Sequence, residues 1–268
     1  MKRMSEFLKN FQNAFSASVI PIALIVGIIV YIVVMGAPSN FQGNNHDNAP
    51  IPGNYFGVVY KGGFIVPILM CLLLTVITFS IERFITIRKA TGKLNVLKFV
   101  KHIKNMLNRN QIDDAIAACE DQKGSVANVV RSALIKYQNV EPDATMSKEQ
   151  KIVAIQKEVE EATSLELPSL EQNLVIIATI SSLATLMGLL GTVLGMIRAF
   201  AAMANAGAPD SVALATGISE ALVNTAFGIG TAALAVIMYN FYTSKIDKLI
   251  YSIDEAGFTI VQTYAAHH

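Results

Sequence analysis

The stretch SVALATGISEALVNTAFGIGTAALAVIM, residues 211–238, decides the fold, because it has the length and apolar composition of a membrane-spanning helix. Its only charged residue is Glu220. A charge at the bilayer centre costs at least about 2.5–3.5 kcal/mol, so such a residue normally faces the interior of a helix bundle or a wet cavity. The position of Glu220 therefore predicts that this acid has a functional role. The alternative is that its carboxyl group only forms a hydrogen bond between helices.

Three further apolar stretches precede this one. Together the four predict an all-α, polytopic membrane protein whose long transmembrane helices extend into a cytoplasmic helical region. Of the 268 residues, 53% are hydrophobic and 15% are charged, whereas average soluble domains carry about 25% charged residues. Charge is nearly absent from the four stretches and is concentrated between them. The net charge of +1 gives no reason to expect a nucleic-acid partner. The stretches are residues 19–35, 64–81, 174–204 and 212–242.

The basic residues predict the orientation in the membrane. Three of them precede the first stretch, and Lys61 alone lies between the first and second stretches. The region 83–173 carries most of the others, whereas the link 205–210 has no Lys or Arg. By the positive-inside rule, both termini and the region 83–173 lie in the cytoplasm.

The predicted organisation alternates membrane spans with cytoplasmic and periplasmic segments. In chain order it is a cytoplasmic amphipathic segment (1–18), an N-terminal span (19–36), a periplasmic loop (37–62), a second span (63–82), a cytoplasmic helical region (83–173), two further spans (174–204 and 211–242) and a cytoplasmic C-terminal tail (243–268).

Motifs for catalysis or metal binding are not found in the sequence. Cys71 lies in a predicted span and Cys119 in the cytoplasmic region, and neither has metal-ligand spacing. These cysteines predict no disulfide, because the cytosol is reducing. The phosphate-binding pattern GxxxxGK[ST] is also absent. The sequence therefore predicts a protein that is not an enzyme and has no metal site.

The last two spans each carry a stripe of small and polar residues, because a helix advances about 100° per residue. On the third span the stripe is Ser181, Thr185, Gly188, Thr192, Gly195 and Ala199. On the fourth span it is Gly217, Glu220, Ala221, Asn224, Gly228, Thr231, Ala232 and Ala235, with Thr225 at its edge.

Two explanations compete for these stripes. Small residues let helix backbones approach, and polar side chains hydrogen-bond across the contact. Packing, however, does not need an acid, whereas hydroxyl, amide and carboxyl groups along one path can relay protons or solvate a cation. Arg198 has three possible roles: its side chain can snorkel to the membrane interface, or it can pair with Asp210 or with Glu220. The predicted packing residues are Gly188, Gly191, Gly195, Gly217 and Gly228, and the predicted residues of an ion pathway or pore lining are Thr192, Glu220, Asn224 and Thr225.

Three motifs in these spans resemble the ExbB/TolQ/MotA family of ion-driven motor proteins, and the ExbB/TolQ branch in particular. They are GLLGTVLGMIRAF (188–200), GISEALVNTAFGIG (217–230) and YNF (239–241). The pairs Gly62-Gly63 and Glu82-Arg83 resemble the family's first core span, so the resemblance covers about residues 62–250. By motif position, Thr192 and Thr225 match the family's pore-lining threonines, and Glu220 matches its glutamate.

The resemblance implies an ExbB-like stator subunit of a motor driven by the proton motive force. Such a subunit forms a homopentamer in the bacterial inner membrane, around a dimer of a single-span ExbD/TolR-like protein whose span carries an aspartate. Proton flow past that aspartate energises a TonB-like protein. The implied translocated ion is a proton or another monovalent cation, and no cofactor is implied. The alternatives are a TolQ-, flagellar- or gliding-type stator and, outside the family, a stand-alone ion channel or a membrane scaffold.

Two features depart from the family pattern. Residues 19–35 form an additional N-terminal span. Near the end of the last span, Ala232-Ala-Leu-Ala replaces the family's Ala-Ile-Pro-Ala. The second difference removes a proline hinge, so kink-dependent motion is not expected at that point.

Overall fold

The structure is a computed structural model that describes residues 18–46, 48–205 and 211–267. Of the predicted N-terminal segment 1–18, all but Ser18 lies outside these residues, as does most of the link 205–210. These residues are 85% helical. Within the described residues, four helices are long and apolar enough to cross a membrane, and strand pairing is limited to one isolated bridge between Phe41 and Pro50. These observations confirm the all-α, multi-pass membrane fold.

Besides two three-residue 3₁₀ helices, Pro38–Asn40 and Gln42–Asn44, nine helices lie in the described part of the chain. In chain order they are α1 (Ser18–Met35), α2 (Tyr55–Tyr60), α3 (Ile65–Thr91), α4 (Val96–Leu107), α5 (Ile112–Gln122), α6 (Ser125–Val140), α7 (Lys148–Glu171), α8 (Leu174–Asn205) and α9 (Ser211–His267).

The chain forms two compact units. The first unit extends to Ile81 and resumes over Val175–Tyr239. The second unit comprises Glu82–Leu174 together with the chain from Asn240 onward. The first unit therefore contains α1, α2, most of α3, nearly all of α8 and the first half of α9.

In the first unit, the additional helix α1 packs closely on α3. A Cβ atom at Gly27 would lie 3.1 Å from the Pro67 carbonyl oxygen, so glycine permits a close backbone approach here. The Tyr31 hydroxyl donates a hydrogen bond to the Tyr60 carbonyl oxygen at 2.9 Å, and the two rings stack with centroids 4.7 Å apart. The departure from the family pattern at residues 19–35 is thus an integral part of this unit.

The connection between α1 and α2 is an ordered loop. Asn40 is buried and donates hydrogen bonds from its Nδ2 to the carbonyl oxygens of Val34 (2.7 Å) and Met35 (2.9 Å). Asn54 caps α2 by accepting a hydrogen bond from the Gly57 amide. Both asparagines hold the loop against helix ends.

The second unit is a helical domain built around the apolar faces of α4 to α7. In α4, residues at helical spacing are buried, and Asn95 caps its first turn. Helix α7 begins with a capping box between Ser147 and Gln150. Tyr137 of α6 and Tyr264 of α9 meet edge to face, with ring centroids 4.7 Å apart.

Two helices extend beyond the spans predicted for them. Helix α3 continues to Thr91, past the predicted boundary at residue 82. Residues 243–267, assigned to a C-terminal tail from sequence, continue α9. The tail is helical because apolar side chains recur on one face and are buried in the second unit; they are Ile246, Leu249, Ile253, Ala256, Ile260 and Tyr264.

Candidate functional site

The contact between α8 and α9 in the first unit is a close approach of two backbones at glycines. A Cβ atom at Gly188 would lie 3.1 Å from the Gly228 Cα. A Cβ atom at Gly217 would lie 2.9 Å from the Gly195 carbonyl oxygen. Four of the five predicted packing glycines therefore lie where a side chain would separate the helices.

Two threonine hydroxyls meet across this contact. The Oγ1 atoms of Thr192 and Thr225 form a hydrogen bond with each other. The Gly188 carbonyl oxygen lies 3.2 Å from the Thr192 Oγ1 and 3.5 Å from the Thr225 Oγ1. Both threonines are only half-buried, so the shared hydroxyl pair forms one edge of the α8–α9 contact.

Asn224 fills the space next to this pair. It is completely buried, and its Nδ2 donates a hydrogen bond to the Gly62 carbonyl oxygen at 2.8 Å. The remaining packing glycine, Gly191, lies against this side chain, because a Cβ there would be 2.8 Å from the Asn224 Nδ2. Among the described residues, no donor reaches the Asn224 Oδ1 or the Thr231 Oγ1. A buried oxygen without a donor costs about 1–3 kcal/mol.

Glu220 forms an ion pair with Arg198. The glutamate side chain is 8% exposed and the arginine side chain 49%. The Arg198 guanidinium also lies over the Phe64 ring, 5.6 Å from its centroid. Of the roles left open for Arg198, the structure selects the Glu220 pair, while Asp210 lies outside the described residues.

The Glu220 carboxylate lies directly against the turn that precedes α3. Gly63 in this turn has a φ of +76°, in the left-handed region that favours glycine. A Cβ atom on Gly63 would lie 2.5 Å from the Glu220 Oε1. Glycine is therefore required here both by its backbone angle and by the space that the acid occupies.

Burial follows the stripe predicted for α9. Its eight central residues are all buried, while Leu222, Ile229 and Ile237 on the opposite face are exposed. On α8 the stripe differs at its start, because Thr185 is exposed and Ala184 is buried instead. Ala184 is the residue that contacts α9, since a Cβ atom on Gly228 would lie 2.6 Å from the Ala184 carbonyl oxygen.

A second ion pair, in the second unit, was missed by the sequence analysis. Arg83 is completely buried, pairs with Glu82, and donates hydrogen bonds to the carbonyl oxygens of Ser169 (3.2 Å) and Leu170 (3.1 Å). Asn173 donates a further hydrogen bond to Glu82 at 3.2 Å. Arg83 therefore satisfies carbonyl groups at the end of α7. The sequence feature that could have indicated this ion pair is the two adjacent opposite charges at the end of an apolar run.

Metal and thiol chemistry find no support in the described residues. In residues 18–46, 48–205 and 211–267, no three His, Cys, Asp or Glu side chains could hold a metal ion together. Cys119 is buried, and burial raises the pKa of its thiol to about 12. That thiol is protonated, and therefore a poor nucleophile, at neutral pH.

Comparison with known proteins gives one family and several relatives. The profile of the family described as "MotA/TolQ/ExbB proton channel family" matches residues 121–255, half of the chain. The Tol-Pal system protein TolQ of Pseudomonas aeruginosa is 34% identical over 119 residues, which are 44% of this chain and 49% of that protein.

Two ExbB-type proteins are also similar. The putative biopolymer transport protein ExbB homolog of Methanothermobacter thermautotrophicus is 25% identical over 211 residues, 75% of this chain and 68% of that protein. The biopolymer transport protein ExbB of Pseudomonas putida is 39% identical over 71 residues, 26% of this chain and 22% of that protein. The chain spans about half the length of the P. aeruginosa TolQ protein and of a second relative, the Tol-Pal system protein TolQ of Haemophilus influenzae, to which it is 33% identical over 114 residues, 42% of this chain and 49% of that protein.

Proposed function

Because this chain belongs to the MotA/TolQ/ExbB proton channel family, we propose that it is an ExbB-like stator subunit of the bacterial inner membrane, with both termini in the cytoplasm. In this function five copies surround two copies of an ExbD/TolR-like single-span protein. Protons that pass between them energise a TonB-like protein and, through it, transport across the outer membrane.

The observation that carries this proposal is the hydroxyl pair of Thr192 and Thr225. Each hydroxyl can donate one hydrogen bond and accept others. A partner carboxylate beside them is stabilised in its charged form, because hydrogen bonds to a charged group favour that form. Away from them, in a low-dielectric environment, the same carboxyl group is neutral. The pair thus supplies a place where a moving acid exchanges its proton.

The energy for such a step comes from the membrane. Moving one elementary charge across a potential of 100 mV releases about 2.3 kcal/mol. This is enough to change the packing of a partner helix, since helix contacts in membranes are worth only about 1–2 kcal/mol per polar interaction. Glu220 and Arg198 form an ion pair near this path, and the charges of this pair contribute to the electric field that acts on the proton.

The outer face of the site is suited to assembly. Leu186 and Ile197 on α8, and Leu222 on α9, are each about 60% exposed. An apolar face of this kind contacts lipid or another apolar helix. In the proposed pentamer, neighbouring copies and the partner helices cover part of it, and lipid covers the rest.

The test is proton flux through the chain reconstituted in liposomes with its ExbD-like partner, under an imposed potential and with a pH-sensitive dye inside. Replacing both threonines, Thr192→Val and Thr225→Val, keeps their shape and removes the hydroxyls. We expect at least a tenfold loss of flux in a complex that still assembles. The control is Thr179→Val, since Thr179 is exposed and bonds only to its own helix. Normal flux in the double variant would refute the proposal, and equal flux without the partner would favour a stand-alone channel.

A TolQ-type subunit is the second candidate, since two of the relatives are Tol-Pal system TolQ proteins. A strain that lacks this chain distinguishes the two. Loss of TonB-dependent import with an intact envelope supports the ExbB-like function. Loss of envelope integrity with normal import supports the TolQ-like function.

A further inference from the structure

The segment that follows the apolar part of α3 is strongly basic. Between residues 83 and 112 there are eight Lys and Arg residues and no Asp or Glu. Two of the eight have partners in the second unit, since Arg83 pairs with Glu82 and the Lys93 Nζ lies 2.5 Å from the Asp121 Oδ1. The others leave a large positive charge at the surface.

A cavity of about 680 Å³ lies beside this basic segment, within the second unit. Its volume is in the range of small-molecule sites, about 300–1,000 Å³. Ile87, Thr91 and Leu97 form one wall, and Lys245 and Lys248 of α9 belong to the other. A single ligand in this cavity therefore meets both apolar and cationic groups.

A smaller cavity of about 290 Å³ shares Ile87, Thr91 and Lys245 with the first and extends the apolar wall. It adds Phe84 and Phe241, which are both exposed, and Arg88 to the lining. Because the two cavities share Ile87, Thr91 and Lys245, they adjoin each other, and we call them together the groove. Its lining combines aromatic, aliphatic and cationic residues.

The charge in this groove is positive. Arg88, Lys245 and Lys248 are exposed, and Asp247 is the acid among the lining residues. Among the described residues, no carboxylate forms an ion pair with any of the three cations. The Lys245 Nζ lies over the Phe241 ring, 5.5 Å from its centroid, so one cation is held at the apolar wall. An anion with an apolar portion fits these groups.

The number of residues between these cations and the ends of the predicted spans indicates which class of anion can reach the groove. Arg88 follows residue 82 by six positions and Lys245 follows residue 242 by three, which at 1.5 Å per helical residue is about 9 Å and about 4.5 Å. The headgroup layer is roughly 5–8 Å thick on each side of the hydrocarbon core. Lys245 is therefore at the depth of lipid phosphates, and Arg88, about 9 Å beyond the span, reaches back towards them, because helical side chains point towards the helix N-terminus, here the membrane side. The proposed orientation places both cations on the cytoplasmic side, where basic clusters bind anionic lipids.

We propose that this groove, formed by α3, α4 and α9 in the second unit, is a binding site for an anionic phospholipid of the cytoplasmic leaflet. The phosphate is held by Arg88, Lys245 and Lys248, and one acyl chain lies along Phe84, Ile87 and Phe241. The proposal is independent of proton transfer, because none of these residues belongs to the α8–α9 site.

The experiment is a titration of the purified full chain, with any bound partner, by native mass spectrometry. Phosphatidylglycerol is compared with zwitterionic phosphatidylcholine. We expect wild type to prefer the anionic lipid. Each basic residue near a membrane surface contributes about 1 kcal/mol, or about fivefold in affinity. The triple variant Arg88→Gln, Lys245→Gln and Lys248→Gln should then bind phosphatidylglycerol roughly a hundredfold more weakly.

Two matched variants test whether the groove itself is responsible. Arg109→Gln, Lys148→Gln and Lys157→Gln together remove the same charge from exposed positions elsewhere in the second unit and should change the affinity by less than about twofold. Leu97→Trp keeps every charge but fills the larger cavity, and it should also abolish the preference for phosphatidylglycerol.

Four results would overturn the proposal. The first is unchanged phosphatidylglycerol binding in the groove variant, and the second is an equal loss in the control variant. The third is displacement of the lipid by free glycerol phosphate, which would make the site one for a soluble anion. The fourth is efficient disulfide crosslinking of Leu97→Cys between two copies, which would mean that a neighbouring subunit fills the groove.

Discussion

Removing Arg198 should destabilise the protein far more than removing Glu220. The reason is the unequal burial of the two side chains, 49% exposed for the arginine and 8% for the glutamate. Without Arg198, the carboxylate is left buried and unpaired beside Gly63. Without Glu220, the guanidinium still has the Phe64 ring and can turn towards water.

The magnitudes follow from these exposures. Isolating a buried charge costs about 3–5 kcal/mol, and we take about 3 kcal/mol for Arg198→Gln because the pair is partly open to solvent. Losing the partner of a solvent-accessible cation costs at most about 1 kcal/mol. The difference, about 2 kcal/mol, is about 30-fold in the unfolding equilibrium. The double variant Arg198→Gln/Glu220→Gln isolates no charge and should resemble Glu220→Gln.

The assay is the free energy of unfolding of the purified chain in mixed micelles, followed by circular dichroism as denaturing detergent is added. All three variants and wild type are measured at one pH and ionic strength. The reasoning is refuted if Glu220→Gln costs as much as Arg198→Gln, or if the double variant is no more stable than Arg198→Gln.

Three further predictions concern other parts of the molecule. Gly228→Ala should cost about 1–3 kcal/mol of unfolding free energy through overpacking against a carbonyl of α8, whereas Gly230→Ala, with open space around it, should be neutral or stabilising by up to about 1 kcal/mol. Arg83→Gln should cost about 3–5 kcal/mol in the same assay, because it leaves the partly buried Glu82 carboxylate without its cation and two carbonyl oxygens of α7 without a donor, and Arg109→Gln less than about 0.5 kcal/mol. A thiol reagent should leave Cys119 unmodified at pH 8 in the folded chain, with the other cysteine replaced. Because folding raises the pKa of this thiol from 9.0 to about 12, the folded chain retains a proton that the unfolded chain releases. Stability should therefore fall as the pH rises above about 9, and Cys119→Ser should remove that part of the loss; rapid modification at pH 8 would contradict the prediction.

The features that could be predicted from sequence are those that local pattern determines. A long apolar run without charge indicates a membrane span regardless of which residues it packs against, so the four spanning helices were predictable. The stripe on α9 was predictable for the same reason, since Gly217, Asn224 and Gly228 recur at helical spacing. At the start of α8 the choice between Thr185 and Ala184 depended on where α9 crosses, which periodicity alone does not contain.

The features that could not be predicted depend on contacts between distant segments. Arg83 was named from sequence only in the Glu82-Arg83 pair of the family resemblance, and nothing in the neighbouring sequence indicates that the end of α7 covers it. The partner of Arg198 stayed open because three roles were compatible with its position. The sequence analysis assigned no secondary structure to residues 243–268, because the apolar residues there are spaced among charged ones and their burial requires the helices of the second unit.

The close approach of Gly63 to Glu220 has a consequence for how these positions evolve. A lineage that keeps the acid has to keep glycine at position 63, since any other residue brings both a Cβ into the carboxylate and an unfavourable backbone angle. A lineage that loses the acid frees the position for asparagine or aspartate, which tolerate positive φ. Gly53 has a φ of +84° and open surroundings, so asparagine or aspartate can replace it without a change at another position. Among descendants of this chain, positions 63 and 220 should therefore change together, while position 53 drifts independently.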